Sequence, residues 1–471
     1  MRGVSRVVAV VLAVVMLIIG IGMGMVVAPY VTPPPTPTIK TVTETRTVTV
    51  SVGTPVETVT IAGETKTVIS TTTITVPGAA VGGLSGEVPI GALLPLSGPL
   101  GQFGENDKVA VELAVAEVNE FLEKIGAGWR LKLYVEDTET KPEVALEKLM
   151  SLHAKGIKFI VGPMASGEIL KIKEYADSNK ILIISQSSTA PVLGIAGDYI
   201  YRFVPPDDAQ GVIGPKFAKM MGVTHIIIVH LANTWGDGLA AVVERTAKDL
   251  GITVVSKLRI PEAGTDYSAE VASLVSEIEK LVGQGIPPEK IMVQLITYGE
   301  AVTFFHSAVG YDILWKVKWF GSDGTARHAE LVKDKTVAEF SSKVRFVSPI
   351  AMEVKTPVTE KVLAEIQRKL GREPEPYAYN SYDAVWVIAL SLLAVDRYDA
   401  DAVIAAMPKI LEHYYGASGP IMLNEAGDRL PETYVLTEVV SVNGAYEWRD
   451  TGYYKVATGE LSWSGPVLLQ P

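Results

Sequence analysis

Residues 157–191, IKFIVGPMASGEILKIKEYADSNKILIISQSSTAP, combine two apolar runs with an amphipathic segment between them. The runs IKFIVG (157–162) and ILIIS (181–185) have the continuous apolar character of strands that are buried on both faces. The segment EILKIKEYADSNK (168–180) mixes apolar and charged residues in the manner of a surface helix. A strand, a helix and a second strand in this order predict a parallel pair with a right-handed crossover, and therefore an α/β fold.

The same alternation recurs along the chain from Glu87 onward. Apolar runs precede helical segments, as in VPIGALL before DKVAVELAVAEVNEFLEK and THIIIVH before WGDGLAAVVERTAKDLG. This region spans about 385 residues, which is too many for one such sheet, so the sequence predicts two α/β lobes. The cleft between two lobes is the default place for a ligand.

A cluster of hydroxyl side chains ends the second apolar run, in the order Ser185, Ser187, Ser188 and Thr189. One interpretation is structural, because Ser and Thr oxygens accept hydrogen bonds from free backbone N–H groups at strand ends and helix starts. The other is functional, because open α/β sheets bind ligands at the carboxyl ends of their parallel strands. The stretch taken alone leaves both interpretations open.

The composition argues against several classes of function. The chain of 471 residues has 42 basic and 53 acidic residues, a net charge of −11, and no basic run of the kind that follows a phosphate backbone. Nucleic acid is therefore not an expected partner. The chain has no Cys, which excludes disulfides, thiolate metal sites, thiol nucleophiles and a lipid-modified N-terminal cysteine.

The first 86 residues have the composition of a membrane anchor followed by a stalk. Arg2 and Arg6 precede an uncharged apolar run from Val7 to about Ala28, which is longer than the core of a signal peptide. The sequence favours an uncleaved anchor over residues 1–30, with the arginines cytoplasmic and the body outside the cell membrane. The following residues, 31–86, are rich in Thr and Pro and predict a stalk, although their Thr/Val alternation leaves a β interpretation open.

Motifs for catalysis, cofactors and metals are missing from the sequence. It contains neither the phosphate-binding GxxxxGK[ST] pattern nor the GxSxG pattern of hydrolases. The six His residues are scattered, and His225 and His230 lie on opposite faces of one predicted strand. Asp207 and Asp208 follow two prolines and are typical of a solvated helix start. The sequence predicts a protein that is not an enzyme and that has no cofactor and no metal site.

Several loops, taken in order, resemble one family of binding proteins. The opening PIGALLPLSGPLGQFGENDKVAVELAVAEVN is similar to that of the extracytoplasmic solute-binding proteins of the Leu/Ile/Val-binding type, which serve ABC importers. Further matches follow in the family's order: VGPMASGE, ISQSSTAP, YRFVPPDDAQG, NTWGDGL, GTDYS, WFGSDG, AYNSYDAVWVIALSL and YGASGPIMLNEAGDRL. The resemblance extends from about Pro89 to Val440 and covers essentially the whole body.

The resemblance implies the type I periplasmic-binding-protein fold, a Venus-flytrap of two Rossmann-like lobes with parallel sheets. A hinge of three strands would join the lobes near 204–207, 348–351 and 424–430. Lobe 1 would combine residues 88–206 with 350–425, and lobe 2 would combine residues 207–349 with 426–471. The implied function is capture of an amino acid or a similar small solute by a monomer that delivers it to an ABC permease. The alternative is a ligand-sensing ectodomain for amides, urea or amino acids that signals through a partner protein.

The resemblance also implies the polar contacts of an amino-acid ligand. Ser166 matches the serine that binds the ligand carboxylate, and Asp323 matches the acid that pairs with the ammonium group. Ser187 and Thr189 match loop positions that hold both groups, and Asp207 matches an acid close to the hinge. Ser166 as a helix cap and Asp323 as a turn residue before a glycine are the structural alternatives.

Five further residues match the walls of the family's pocket. Met164 and Ala165 precede the carboxylate-binding serine, and Phe103 and Trp235 fall where the family has aromatic residues, with Tyr298 near a third. The structural alternative for Phe103 and Trp235 is that they are core aromatic residues. Phe103 lacks the hydroxyl of the usual tyrosine, and the ammonium-binding acid is one methylene shorter than the usual glutamate, so the identity of the ligand stays open.

Overall fold

The computed structural model describes residues 83–463 of the chain. The predicted anchor, residues 1–30, lies outside the described residues, as does nearly all of the predicted stalk, residues 31–86. Both therefore stay predictions.

The first sheet has five strands, and all of its pairs are parallel. Its strand order is β2-β1-β3-β4-β5, with a helix after each of the first three strands. The elements are β1 (Gly86–Leu94), α1 (Gly101–Lys124), β2 (Trp129–Asp137), α2 (Pro142–Ala154), β3 (Phe159–Val161), α3 (Ser166–Asn179), β4 (Leu182–Ser185) and β5 (Ile200–Arg202). The stretch from β3 to β4 is the strand, helix and parallel strand predicted from residues 157–191, and the predicted α/β class is confirmed here.

The second sheet begins with five parallel strands in the order β10-β9-β8-β6-β7. The strands are β6 (His225–Leu231), β7 (Thr253–Ile260), β8 (Ile291–Ile296), β9 (Lys318–Phe320) and β10 (Val347–Ala351). The helices between the two sheets and among these strands are α4 (Asp207–Gln210), α5 (Ile213–Met220), α6 (Thr234–Asp249), α7 (Ser268–Gly283), α8 (Glu300–Ala308), α9 (Glu330–Lys333) and α10 (Lys335–Val344). Strands β6, β8, β9 and β10 are almost entirely buried in one apolar core, whereas the edge strand β7 contributes only Ile260 as a fully buried residue.

The chain then returns to pack against the first sheet. The returning elements are α11 (Pro357–Leu370), α12 (Pro376–Val395), α13 (Ala400–Leu411) and the short strands β11 (Tyr415–Gly416) and β12 (Gly419–Pro420). Most of the buried apolar residues of the three helices share one core with β1 and α1. Among the described helices, only α12 is long and apolar enough to cross a membrane, yet 78% of its apolar window is buried inside the protein. We therefore assign α12 as a core helix.

The prediction of purely parallel sheets is incomplete, because the second sheet ends in an antiparallel meander. Strands β13 (Thr433–Val442), β14 (Ala445–Lys455) and β15 (Glu460–Trp463) extend it beside β10. Asn443 and Gly444 alone join β13 to β14, and both have positive φ angles, 52° and 84°. A two-residue Asn-Gly connection is the strongest local signal for a hairpin, because it matches the twist of the paired strands.

The chain passes between the two sheets three times. Residues 203–206 lead from β5 to α4, residues 352–356 lead from β10 to α11, and residues 421–432 lead from β12 to β13. The second predicted crossover, 348–351, lies inside β10, where these residues pair with β13. The observed connection therefore begins at residue 352, after β10 has ended. The predicted lobe boundaries themselves stay a prediction.

Candidate ligand site between the two sheets

A cavity lies where the carboxyl ends of the strands of both sheets meet. It encloses about 310 Å³ of space between atoms, part of it open to solvent. Its walls come from the segments that follow β3, β4, β6, β8 and β9, and from the first turns of α1 and α12. The lining residues are Leu100, Phe103, Met164, Ala165, Ser166, Ser187, Trp235, Tyr298, Asp323, Gly324 and Tyr377.

Most of the residues predicted for the site line this cavity. They are Phe103, Met164, Ala165, Ser166, Ser187, Trp235, Tyr298 and Asp323. The structure does not bring Thr189 or Asp207 into the lining. Both are buried behind the wall, where the Thr189 hydroxyl donates to Asp207 Oδ2 at 2.9 Å.

Ser166 is the first residue of α3 and lines the cavity, and its hydroxyl hydrogen is not used in the hydrogen bonds that its oxygen accepts. Its Oγ accepts hydrogen bonds from the Ser188 hydroxyl at 3.0 Å and from the Ala190 N–H at 3.2 Å. The N-cap position belongs to Ala165, whose N–H is bound by Glu168, so Ser166 is not the cap of the helix. A donor hydroxyl beside the positive end of a helix dipole suits an anion.

The hydroxyl cluster after β4 divides between structural and cavity positions. Ser185 is structural, because its Oγ donates to Pro163 O at 2.7 Å and accepts from the Ser188 N–H. Ser187 lines the cavity and donates to Met164 O at 2.9 Å, so its oxygen stays able to accept a donor from a ligand. Ser187 and Thr189 would share a face in a strand, but β4 ends at Ser185 and the alternation ends with it.

Asp323 follows β9 and faces the cavity from the second sheet. Its Oδ1 accepts the Gly324 N–H at 3.0 Å, which is the local turn contact. Its Oδ2 accepts the Tyr377 hydroxyl at 2.6 Å, and its own N–H donates to Gln210 Oε1 at 2.9 Å. Asp323 is therefore more than a turn residue, because partners from two distant helices orient it.

Asp207 and Asp323 form a buried pair of acids joined by one amide. Gln210 donates from Nε2 to Asp207 Oδ1 at 2.7 Å while its oxygen accepts the Asp323 N–H. Burial and the charge of Asp323 raise the pKa of Asp207 well above its usual value. Burial also raises the pKa of Asp323, although the hydrogen bond donated by the Tyr377 hydroxyl works in the opposite direction. Both carboxylate oxygens of Asp323 accept hydrogen bonds, and none of the lining residues is Lys or Arg, so this end of the cavity suits a cation.

Two aromatic pairs form the apolar walls of the cavity. Trp235 stacks on Tyr298 with ring centroids 4.5 Å apart, and Phe103 packs edge-on against Tyr377 at 6.3 Å. Gly324 keeps the first pair in place, since a Cβ atom there would lie 2.5 Å from Thr297 O and 3.0 Å from the Trp235 ring. The rings of Phe103, Trp235 and Tyr298 also belong to the core of the second sheet, so they are at once wall and core.

The model of the periplasmic binding protein family matches residues 87–445 of this chain. The chain belongs to the periplasmic binding protein family. Its members bind solutes and are not enzymes, which agrees with the missing catalytic motifs.

Relatives of this periplasmic binding protein occur in archaea and bacteria. The uncharacterized protein MJ1266 of Methanocaldococcus jannaschii is 34% identical over 80% of this chain and 91% of its own length. The Leu/Ile/Val-binding protein BraC3 of Rhizobium johnstonii is 25% identical over 74% of this chain and 91% of its own length. The two comparisons relate the chain to an uncharacterized protein and, at lower identity, to a Leu/Ile/Val-binding protein.

Solved structures share the fold at low sequence identity. The leucine binding protein LivK of Thermotoga maritima has a TM-score of 0.65 at 21% identity, covering 77% of this chain and 97% of that protein. An ABC transporter solute-binding protein of Rhodopseudomonas palustris, in complex with 3,4-dihydroxybenzoic acid, has a TM-score of 0.64 at 16% identity, covering 79% and 98%. At these identities the likeness establishes the type I fold and leaves the ligand to the chemistry of the cavity.

The sequence reasoning missed two side chains of this periplasmic binding protein's cavity, Leu100 and Tyr377. Tyr377 immediately precedes AYNSYDAVWVIALSL, a segment that was recognisable only as a family match and as an apolar helix. No local pattern separates its hydroxyl from those of Tyr379 and Tyr382 on the same helix. Its position in the cavity depends on how α12 packs beside the second sheet.

Proposed function

We propose that this protein is the extracytoplasmic solute-binding component of an ABC importer. In this proposal it captures an amino acid, branched-chain or related, in the cavity and delivers it to the permease. One observation carries the proposal: Ser166 from the first sheet and Asp323 from the second face the same small cavity. The site thereby offers an anion-binding end and a cation-binding end to one molecule.

An α-amino acid has the matching pair of charges. Its carboxylate would accept hydrogen bonds from the Ser166 hydroxyl and benefit from the start of α3. Its ammonium group would donate to Asp323 and to the oxygen of Ser187. Charge-assisted bonds of this kind are roughly twice as strong as neutral ones, and burial keeps water from replacing them.

The rest of the cavity suits an apolar side chain of modest size. Leu100, Phe103 and Met164 contribute apolar surface beside the stacked Trp235 and Tyr298. The names of the distant relatives point to Leu, Ile and Val as ligands of those proteins, and the walls here are compatible with such side chains.

An aromatic acid fits the polar groups less well than an amino acid. The solved structure with 3,4-dihydroxybenzoic acid shows that this fold also accommodates such ligands. An aromatic acid could use Ser166, but it has no ammonium group to neutralise Asp323, and a buried charge without a partner is unfavourable. The electrostatics of this cavity therefore favour the amino acid.

Isothermal titration calorimetry of the purified full chain in detergent tests the proposal. The panel is leucine, isoleucine, valine, acetamide, urea, benzoate and 3,4-dihydroxybenzoate. We expect saturable binding of at least one amino acid and none of benzoate. Binding of benzoate or an amide alone, with no heat from any amino acid, would contradict the proposed ligand class.

The proposal includes the predicted membrane anchor and the predicted two-lobe closure. The apolar run from Val7 to about Ala28 would hold the body outside the cell membrane, close to the permease, and residues 31–86 would serve as the stalk. The body would act as a monomer whose lobes close on the ligand, and the ligand would favour closure by binding the closed form more tightly.

A further inference from the structure

The hydrogen bond between Tyr377 and Asp323 crosses the space between the two sheets. Tyr377 lies in the first turn of α12, which packs against α1 and the core of the first sheet. Asp323 lies in the loop after β9 of the second sheet. The Tyr377 hydroxyl donates to Asp323 Oδ2 at 2.6 Å, and both side chains are buried.

A second, weaker set of contacts lies beside this bond. We call the part of the protein built on the five-stranded sheet the first half and the part built on the eight-stranded sheet the second half. The Ala329 N–H of the second half donates to Gln102 Oε1 of α1 at 2.9 Å, and Phe103 packs edge-on against His328 at 5.7 Å. These contacts are neutral, because burial lowers the pKa of His328 to about 4. Of the three contacts at this place, only the bond to Asp323 involves a carboxylate, so we expect it to be the strongest of them.

The chemistry of this bond is that of the proposed ligand contact. A ligand ammonium group would donate a hydrogen bond to Asp323, and the Tyr377 hydroxyl already does so. We propose that Tyr377 is a positioning residue that holds the Asp323 carboxylate toward the cavity and ties the two halves together before a ligand arrives. The role of Asp323 toward the ligand rests on the proposed function, whereas the tie itself does not.

The tie has a consequence for ligand binding. A carboxylate has about four acceptor positions, so an ammonium group can bind Asp323 while Tyr377 stays in place. The ligand then binds the closed form, in which Tyr377 is bonded to Asp323 and which is already partly populated without ligand. Its apparent affinity rises with the fraction of the protein in this closed form. Loss of the Tyr377 hydroxyl should therefore shift the ligand-free protein toward the open form and lower its apparent affinity for the ligand as well.

Distance measurements on the ligand-free full chain test the tie directly. The chain has no Cys, so the changes Lys141→Cys and Thr265→Cys give two unique spin-label positions. Both residues are exposed and follow strands β2 and β7 at the carboxyl edges of the two sheets. Pulsed electron paramagnetic resonance then reports how often the two edges are close together.

The informative variant is Tyr377→Phe, which keeps the ring and removes only the hydroxyl. We expect its ratio of short to long distances to fall about tenfold, since each 1.4 kcal/mol changes an equilibrium tenfold. The matched control is Tyr379→Phe on the same helix, whose ring is also buried but which does not line the cavity. A distance distribution for Tyr377→Phe equal to that of the control would overturn the proposal.

A double variant separates the tie from general loosening. If Tyr377 acts through Asp323, adding Tyr377→Phe to Asp323→Ala should produce no further opening. Further opening in the double variant would show that the tyrosine acts elsewhere and would contradict the tie. Because these measurements use no ligand, a failed amino-acid screen together with an open Tyr377→Phe protein would refute the proposed function and leave the tie standing.

Discussion

Arg202 and Asp428 form a buried ion pair that joins the end of β5 to one of the three connections between the sheets. Arg202 ends β5, Asp428 lies in residues 421–432, and Arg202 Nη2 donates to Asp428 Oδ2 at 2.6 Å. Arg202 Nη1 also donates to the carbonyl oxygens of Ser188 and Ala190, at 3.2 and 2.8 Å. The pair thereby fixes the segment after β4 that carries part of the candidate site.

Removing one partner of this pair should destabilise the fold strongly. Asp428→Ala leaves a buried guanidinium group without its counter-charge, which typically costs about 3 to 5 kcal/mol. Urea unfolding followed by circular dichroism measures the loss. The control is Asp450→Ala, at an exposed residue that pairs with Arg327 at 3.4 Å, where we expect a change within about 0.5 kcal/mol. Equal, small effects of both variants would contradict the structural role of the pair.

Asp323→Ala should weaken binding of an amino-acid ligand by about 2 to 5 kcal/mol. The reason is that the ammonium group would stay buried without its partner charge. Calorimetry with the best ligand of the screen gives the affinity. Asp208→Ala is the control, because Asp208 is exposed and pairs with Arg245 at the surface. An unchanged affinity in Asp323→Ala would rule out Asp323 as the ammonium site.

Ser166→Ala should weaken the same ligand by about 1.5 to 3 kcal/mol, the usual value of a hydrogen bond to a charged group. The helix start remains, so binding should fall without being abolished. The control is Ser178→Ala. Ser178 lies on an exposed face of the same helix, so this change should leave the affinity unchanged. If both variants bind equally well, the carboxylate contact lies elsewhere.

Acidification from pH 8.5 to pH 5 should raise the free energy of unfolding. Burial and the charge of Asp107 raise the pKa of Glu375 from 4.5 to about 8 in the folded protein. Between these values the folded state binds more protons than the unfolded state, so stability is present at low pH and falls as the pH rises through about 8. Urea midpoints at several pH values measure this slope.

The variant Glu375→Gln should reduce this pH dependence, because a glutamine does not titrate but can still accept the hydrogen bond from Asn106 Nδ2. Glu373→Gln, at an exposed neighbouring position, should keep the full slope. A slope that is the same in both variants would show that other groups cause it.

A protein that begins near Gly86 should be soluble, monomeric and able to bind ligand, whereas the full chain should require detergent for extraction from membranes. The prediction follows from the composition of residues 1–86 and from the start of β1 at Gly86. Fractionation and light scattering measure both properties. Aggregation of the shortened protein would show that the Thr-rich segment belongs to the fold.

The predicted strands and helices agreed best with the structure where the sequence signal came from neighbouring residues. The apolar runs and the amphipathic segment of residues 157–191 predicted β3, α3 and β4, which the structure contains. Ser166, Ser187 and Asp323, which were selected from loops that resemble the family, all line one cavity. The Asn-Gly pair that joins β13 to β14 was an equally local signal, and the sequence reasoning overlooked it.

The sequence by itself determined the α/β class and the strand ends at which polar side chains collect, because periodicity and turn chemistry depend on neighbours in the chain. Only the tertiary structure decided which side chains meet across the cavity. Thr189 turns to Asp207 because its strand has already ended, and the Tyr377 hydroxyl reaches Asp323 because α12 packs beside the second sheet. Contacts between residues this distant in the chain follow from the packing of whole elements, which no local pattern records.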